Sequence, residues 1–249
     1  MNPRALATVR TLIAVPTFFV FTIAISAVVS VYSLLRPHHP SIEKIVHLWS
    51  RLFLTVAPIR FDGADASHLD PDQRYVFVSN HLSNFDIPLL FLAIPQRIRY
   101  LAKAELFRIP VLAGAMHRIG IIKIERGAGP TTHAAINDGV AAAAAQGYSL
   151  MVFAEGTRSR DGELHEFKKG AFRIAISTGI DIVPVTVHGT WETWRPEARV
   201  FYPGHAEVII GDPIPVAGLT VEDIDALRDR THAVIADTYD GLVAAAETA

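Results

Sequence analysis

Residues 11–35, TLIAVPTFFVFTIAISAVVSVYSLL, form an apolar run of 25 positions without a charged side chain. As a helix this run would be about 37 Å long, enough to cross a hydrocarbon layer of roughly 30 Å. The pattern then changes. In SIEKIVHLWSRLFLTVAPI, residues 41–59, Ile42, Ile45, Val46, Trp49, Phe53 and Leu54 recur at three- and four-residue spacing, with Glu43, Lys44, His47 and Arg51 between them. That periodicity predicts an amphipathic helix. It has two natural placements: in a membrane interface, which suits Trp49 and Arg51, or packed on the globular remainder.

From residue 75 the chain alternates between short apolar runs and helical periodicity. Strands are predicted at 75–79, 98–103, 121–125, 149–155, 181–189 and 206–211. Helices are predicted between them. One runs from Asn84 to Ile94. A second covers 106–120, broken at Pro110 and closed by Gly120. A third, rich in alanine, covers 131–147 with Gly147 as its C′ residue, and a fourth covers 168–179, ending at Gly179. Thr220 and Asp223 form a capping box for a last helix reaching about Ala246. Strand and helix taking turns at this spacing predict an α/β domain, a largely parallel mixed sheet flanked by helices. The expected organisation is a membrane-associated helical segment over 1–60 and a single α/β domain over 61–249.

Charge adds to the picture at the N-terminal end. Before Asp62 the only acidic residue is Glu43, against Arg4, Arg10, Arg36, Lys44, Arg51 and Arg60. A basic start on a mildly acidic remainder suits an anionic membrane surface. Positive residues flank the apolar run on both sides, so the positive-inside rule gives no orientation, and a helix that dips in and returns would put both flanks on one face. A secretory signal is shorter and ends at a small-residue cleavage site, whereas Arg36-Pro37-His38-His39-Pro40 follows here. A net charge of −2 gives no case for nucleic-acid binding. With no cysteine there is no disulfide, thiolate nucleophile or thiolate metal site.

The polar residues gather at predicted strand ends, where open α/β sheets bind ligands. His81 follows one strand, Lys103 and Arg126 end two others, and Glu155-Gly156-Thr157-Arg158 follow a fourth. His81 and Asp86 are five apart and share no helix face. They meet only if His81 precedes the helix and the chain bends; the carboxylate would then fix the imidazole for proton abstraction. The competing reading is structural, since Ser83-x-x-Asp86 is itself a capping box. Gly156 permits a sharp turn with exposed N–H groups, and Arg158 is a candidate two-pronged phosphate ligand. Lys168 and Lys169 add positive charge where helix-dipole logic disfavours it. The competing reading of this segment is a charged surface loop. No ligand cluster for a metal is evident, and His38-His39 read as a solvated turn.

Taken together these segments resemble the glycerolipid acyltransferase family, most closely bacterial 1-acyl-sn-glycerol-3-phosphate acyltransferases. The motif NHxSxxD matches Asn80 to Asp86, and a Gly-φ-φ-x-φ-x-Arg strand matches Gly120 to Arg126. EGTRS stands in full at 155–159, an apolar-Val-Pro-apolar strand matches 182–185, and a Lys-x-Glu-Leu segment starts at Lys103. The resemblance covers about 41–215, and the apolar start fits the family's membrane-embedded helices. It implies that His81 is the general base and Asp86 its partner. Arg126, Arg158 and Lys103 would bind the acceptor phosphate, in a pocket shaped by Glu155, Gly156 and Thr157. The implied reaction moves an acyl group from acyl-CoA or acyl-carrier protein, as co-substrate and without cofactor or metal, to the 2-hydroxyl of lysophosphatidate. An apolar groove would hold the acyl chain and open towards a phospholipid bilayer, at the cytoplasmic face of the inner membrane. The alternatives are an acyltransferase for another lysolipid, such as lyso-ornithine lipid, and a membrane-surface lipid-binding protein without catalysis. A metal-dependent hydrolase is a third, with too few clustered ligands.

Overall fold

The protein is described from a computed structural model covering residues 2–36, 39–57, 59–124 and 130–248. Two N-terminal helices, α1 (Pro3–Leu35) and α2 (Ser41–Val56), precede a short strand β1 (Ile59–Arg60). The alternating part follows in the predicted order: β2 (Val76–Ser79), α3 (Asp86–Ala93), β3 (Ile98–Lys103), a 3-10 turn (Ala104–Arg108), α4 (Pro110–Ile119) and β4 (Ile122–Ile124). After these come α5 (Pro130–Ala145), β5 (Ser149–Phe153), α6 (Gly170–Thr178), β6 (Ile182–His188), α7 (Thr190–Thr193), β7 (Gly204–His205), β8 (Glu207–Ile210) and α8 (Ile224–Thr248). Pro110 divides the predicted 106–120 helix, because its ring fits a first helical turn but not an interior. Gly120 and Gly179 close α4 and α6 in the left-handed conformation that glycine adopts without strain.

Six strands form the main sheet in the order β4-β3-β5-β2-β6-β8, all parallel except β8. The central strands are mostly apolar and almost wholly buried because both faces are covered. Phe77, Met151, Val183, Val185 and Val187 point into one core with α2, α3 and part of α1. Their alternates Val76, Val78, Leu150, Val152 and Ile182 point into the other with α6 and α8.

α1 runs unbroken from Pro3 to Leu35, so the chain does not turn back within the apolar run. A narrow stripe, Ala7, Thr11, Ala14, Phe18, Ser26, Val29 and Ser33, is buried against the rest of the protein. Thr11 Oγ1 accepts from the Phe201 N–H at 3.2 Å, Thr22 Oγ1 accepts from Trp49 Nε1 at 3.0 Å, and Phe18 stacks on Phe53. The opposite side exposes Leu12, Ile13, Phe19, Val20, Val31 and Leu35. Among the described residues this is the one helix long and apolar enough to cross a membrane.

For α2 the packed placement holds. Ile42, Val46, Ser50 and Leu54 are buried, and Trp49 is half-buried beside Phe91 rather than facing outward. Its first turn carries an ionic clamp. Glu43 accepts from Arg97 Nε at 3.3 Å and from both terminal nitrogens of Arg99. Arg99 is fully buried and stacks on Tyr148 with its guanidinium 3.8 Å from the ring centre. Burial alone would raise the Glu43 carboxyl, but the bonds and charges of Arg99 and Arg97 outweigh it and leave the group below its ordinary value.

Candidate active site

β2 and β5 are neighbours, with Ser79 opposite Phe153. Two residues beyond that pair on each strand stand His81 and Glu155, so parallel register brings the two motif segments level at the carboxyl edge of the sheet. Asn80 extends the ladder on the other side. Its amide donates to Val187 O and accepts from Val187 N, each at 2.8 Å. The segment carrying His81 is therefore tied to both strands flanking β2.

The predicted bend is present. His81 lies before α3, and Asp86 is the first residue of that helix. His81 Nδ1 is 2.7 Å from Asp86 Oδ2. The same oxygen accepts from Leu82 N at 2.7 Å and Ser83 N at 2.8 Å, while Oδ1 accepts from Thr190 Oγ1 at 2.6 Å. Asp86 is fully buried, with all of these donors around it. A carboxylate only accepts, so the ring proton sits on Nδ1 and Nε2 keeps its lone pair. The ring also stacks on Phe153, centroids 3.8 Å apart and planes 10° from parallel, which fixes its tilt.

Only half of the predicted capping box forms, because α3 begins at Asp86 itself and Phe85 stands at its N-cap without a side-chain bond. Asp86 supplies the carboxylate half by accepting from Ser83 N, whereas Ser83 Oγ accepts from Phe85 N and donates to Trp194 O at 2.9 Å. Ser83 is fully buried and its hydroxyl is already engaged, so it is no nucleophile.

A cavity of about 780 Å³ opens beside His81. Its wall is mostly apolar and runs past Phe91 and Tyr100 to Ile25 and Val29 of α1. Gly156, Thr157, Arg158 and Lys103 line it as well. Arg158 is half-buried, and among the described residues no carboxylate is paired with it. Gly156 has φ +71°, the turn expected of it. Arg126 lies outside the described residues, so Lys103 and Arg158 are the predicted phosphate ligands that the structure places on the cavity wall. Glu155 differs from its motif neighbours. It points into the protein, is 4% exposed, and accepts from the His81 backbone N–H at 2.9 Å through Oε1. Burial pushes its carboxyl up to about 7, against the opposing pull of the N–H bonds from His81 and His165.

The Acyltransferase family model matches residues 59–188, from β1 to the end of β6, which include His81, Asp86 and the 155–159 segment. The chain belongs to the acyltransferase family. Among its relatives is human 1-acyl-sn-glycerol-3-phosphate acyltransferase beta, 30% identical over 217 residues, which cover 86% of this chain and 78% of that one. The human alpha protein is 33% identical over 174 residues, or 70% of this chain and 62% of the relative, so the chain spans under two thirds of that relative's length. The fold of this acyltransferase is that of the crystal structure of 1-acyl-sn-glycerophosphate (LPA) acyltransferase, PlsC, from Thermotoga maritima. The TM-score is 0.83 at 24% identity, over 97% of this chain and 98% of that one.

Two acyltransferase site residues escaped the sequence reading. Phe153 looked like one more apolar strand residue. Thr190 follows β6 at the same sheet edge as His81 and Glu155, and the strand-end rule that selected those two would also have selected it.

Proposed function

We propose that this acyltransferase moves a fatty acyl group from an acyl-CoA or acyl-carrier-protein thioester to the sn-2 hydroxyl of 1-acyl-sn-glycerol-3-phosphate, giving phosphatidic acid. The observation that carries this reading is the meeting of three parts. A carboxylate-backed His81 stands at one end of an apolar cavity, and Arg158 and Lys103 stand on the same wall. His81 Nε2 removes the hydroxyl proton as the oxygen attacks the thioester carbonyl. The tetrahedral adduct collapses, the thiolate leaves, and the proton on the imidazolium is available to it. Asp86 stabilises that imidazolium while it exists. No acyl-enzyme is required, which agrees with the absence of cysteine.

The relatives' names give the acceptor, and the cation pair suits a phosphate monoester. The exposed apolar side of α1 is the surface offered to a bilayer. The helix is gripped from Ala7 to Ser33, roughly 39 Å of its length. A helix held along its whole side would lie with the domain at one membrane face, and an acyl-CoA or carrier-protein donor would make that the cytoplasmic face of the inner membrane.

Purified protein assayed against a panel of lysolipids, with acyl-CoA and acyl-carrier protein in parallel, tests the reading. Transfer to lysophosphatidate above all other acceptors is expected, and preference for lyso-ornithine lipid or a neutral lysophospholipid would overturn the acceptor. Arg158→Ala is expected to raise the lysophosphatidate KM by about 10- to 100-fold, the worth of one charge-assisted contact. The KM for the thioester should stay within a factor of about two.

A further inference from the structure

Glu155 is the first residue of EGTRS, yet it is turned away from the cavity that its neighbours line. Its Oε1 accepts from the backbone N–H of His81 at 2.9 Å, and among the described residues its buried Oε2 has no partner at hydrogen-bond distance. The last residue of the motif does the matching job: Ser159 N donates to His81 O at 2.7 Å. The two ends of EGTRS thus grip the two polar groups of the His81 residue's own backbone, while Arg158 between them faces the cavity.

We propose that Glu155 is a positioning residue for His81, its ionised carboxylate holding the His81 backbone so that the ring meets Asp86 on one side and the acceptor hydroxyl on the other. The inference rests on His81 being the base. A carboxylate accepts an N–H bond about twice as strongly as a neutral oxygen does. The charged form is therefore the working form, and the protonated form leaves His81 less firmly held.

The surroundings set when that charge is present. Asp86 faces Glu155 from α3 and disfavours its ionisation, and His165 favours it through its N–H and its charge. Lys168 lays its Nζ against Gly156, and Tyr239 of α8 lies within electrostatic reach. Burial dominates these and moves the carboxyl from 4.5 to about 7. The folded protein therefore favours the protonated form. The stability contributed by this group is fully present below pH 4.5 and is lost as pH rises through about 7. Activity follows the opposite course, gaining as the charge appears.

Glu155→Gln separates these effects, because glutamine has the shape of the protonated acid and cannot ionise. At pH 8, kcat is expected to fall about tenfold, with the lysophosphatidate KM unchanged within a factor of about two. The wild-type kcat profile is expected to include a rise through about pH 7 that Glu155→Gln lacks. Between pH 5 and 8 the melting temperature of wild type should fall relative to the variant. Infrared pH-difference spectra of wild type should contain a carboxylic-acid carbonyl band, titrating near 7 and missing in Glu155→Gln. A raised KM with intact kcat would assign Glu155 to phosphate binding and overturn the proposal. So would an unchanged kcat of Glu155→Gln at pH 8. Wild type that ignores lysophosphatidate but acylates another acceptor would sink the acceptor assignment alone, and the Glu155 comparison would then use that acceptor. Wild type that acylates no acceptor would overturn both readings.

Discussion

His81→Ala protein is expected to fold, to bind membranes as wild type does, and to transfer acyl groups at less than about a thousandth of the wild-type rate, within the range that a positioned general base contributes. The fold should tolerate the change because the backbone at residue 81 is held independently of the ring. Glu155 takes the N–H, Ser159 supplies a donor to the carbonyl, and Asn80 is tied to Val187. Asp86 loses one of its donors and keeps Leu82 N, Ser83 N and Thr190 Oγ1. The loss should fall on kcat, since the proton is removed in the transition state and not in the bound complex. Rate measurement at saturating lysophosphatidate and thioester checks this, beside flotation with vesicles. A variant keeping a tenth of wild-type activity would mean that the hydroxyl is activated by some other group.

The second large effect is at Asp86, and the two obvious substitutions there should behave differently. Asp86→Ala leaves two buried backbone N–H groups and a hydroxyl without their acceptor, at about 1–3 kcal/mol each, a large share of an ordinary domain's stability. That variant should be poorly folded. Asp86→Asn should fold. Its oxygen can take the Oδ2 position among the three N–H donors, and its amide can donate to Thr190 Oγ1, a hydroxyl able to turn and accept. The asparagine preserves the ring tautomer and removes only the negative charge that stabilises the imidazolium. A fall in kcat of about 10²- to 10³-fold with near-normal melting is expected. Combining it with Thr190→Val removes the acceptor for the new amide and should lower the melting temperature further. Full activity in Asp86→Asn would mean that the charge has no part in the chemistry.

The elements were legible because they depend on local pattern. Alternation of strands and helices, Pro110, Gly120 and the Thr220–Asp223 box are properties of neighbouring residues, and each appears where its spacing implies. The His81–Asp86 pair was legible for the same reason, being contained in one turn. The missed features depend on partners far along the chain. Thr190 reaches Asp86 across 104 positions, and Glu155 reaches His81 across 74. Arg97 and Arg99 sit at the start of a strand and meet Glu43 over 50 residues earlier. Sequence reading took Glu43 for a polar-face residue of an amphipathic helix, since no local pattern announces a buried ion pair. For Trp49, aromatic character suggested a water boundary, but Thr22 on another helix bonds its indole N–H and holds it in the cavity wall.

The Glu43 clamp sets where this protein can be trimmed. The exposed apolar surface of the N-terminal region belongs chiefly to α1, and a shortened form meant to escape the membrane would naturally begin after it. Beginning at residue 40 keeps Glu43 over Arg97 and Arg99. Beginning at residue 61, the chemically tempting edge of the catalytic sequence, strips the carboxylate from two guanidiniums stacked on Tyr148, one of them fully buried. Breaking a buried pair from one side costs about 3–5 kcal/mol. A shortened form therefore keeps this ion pair only if it begins before Glu43, and α2 belongs with the α/β domain it packs against.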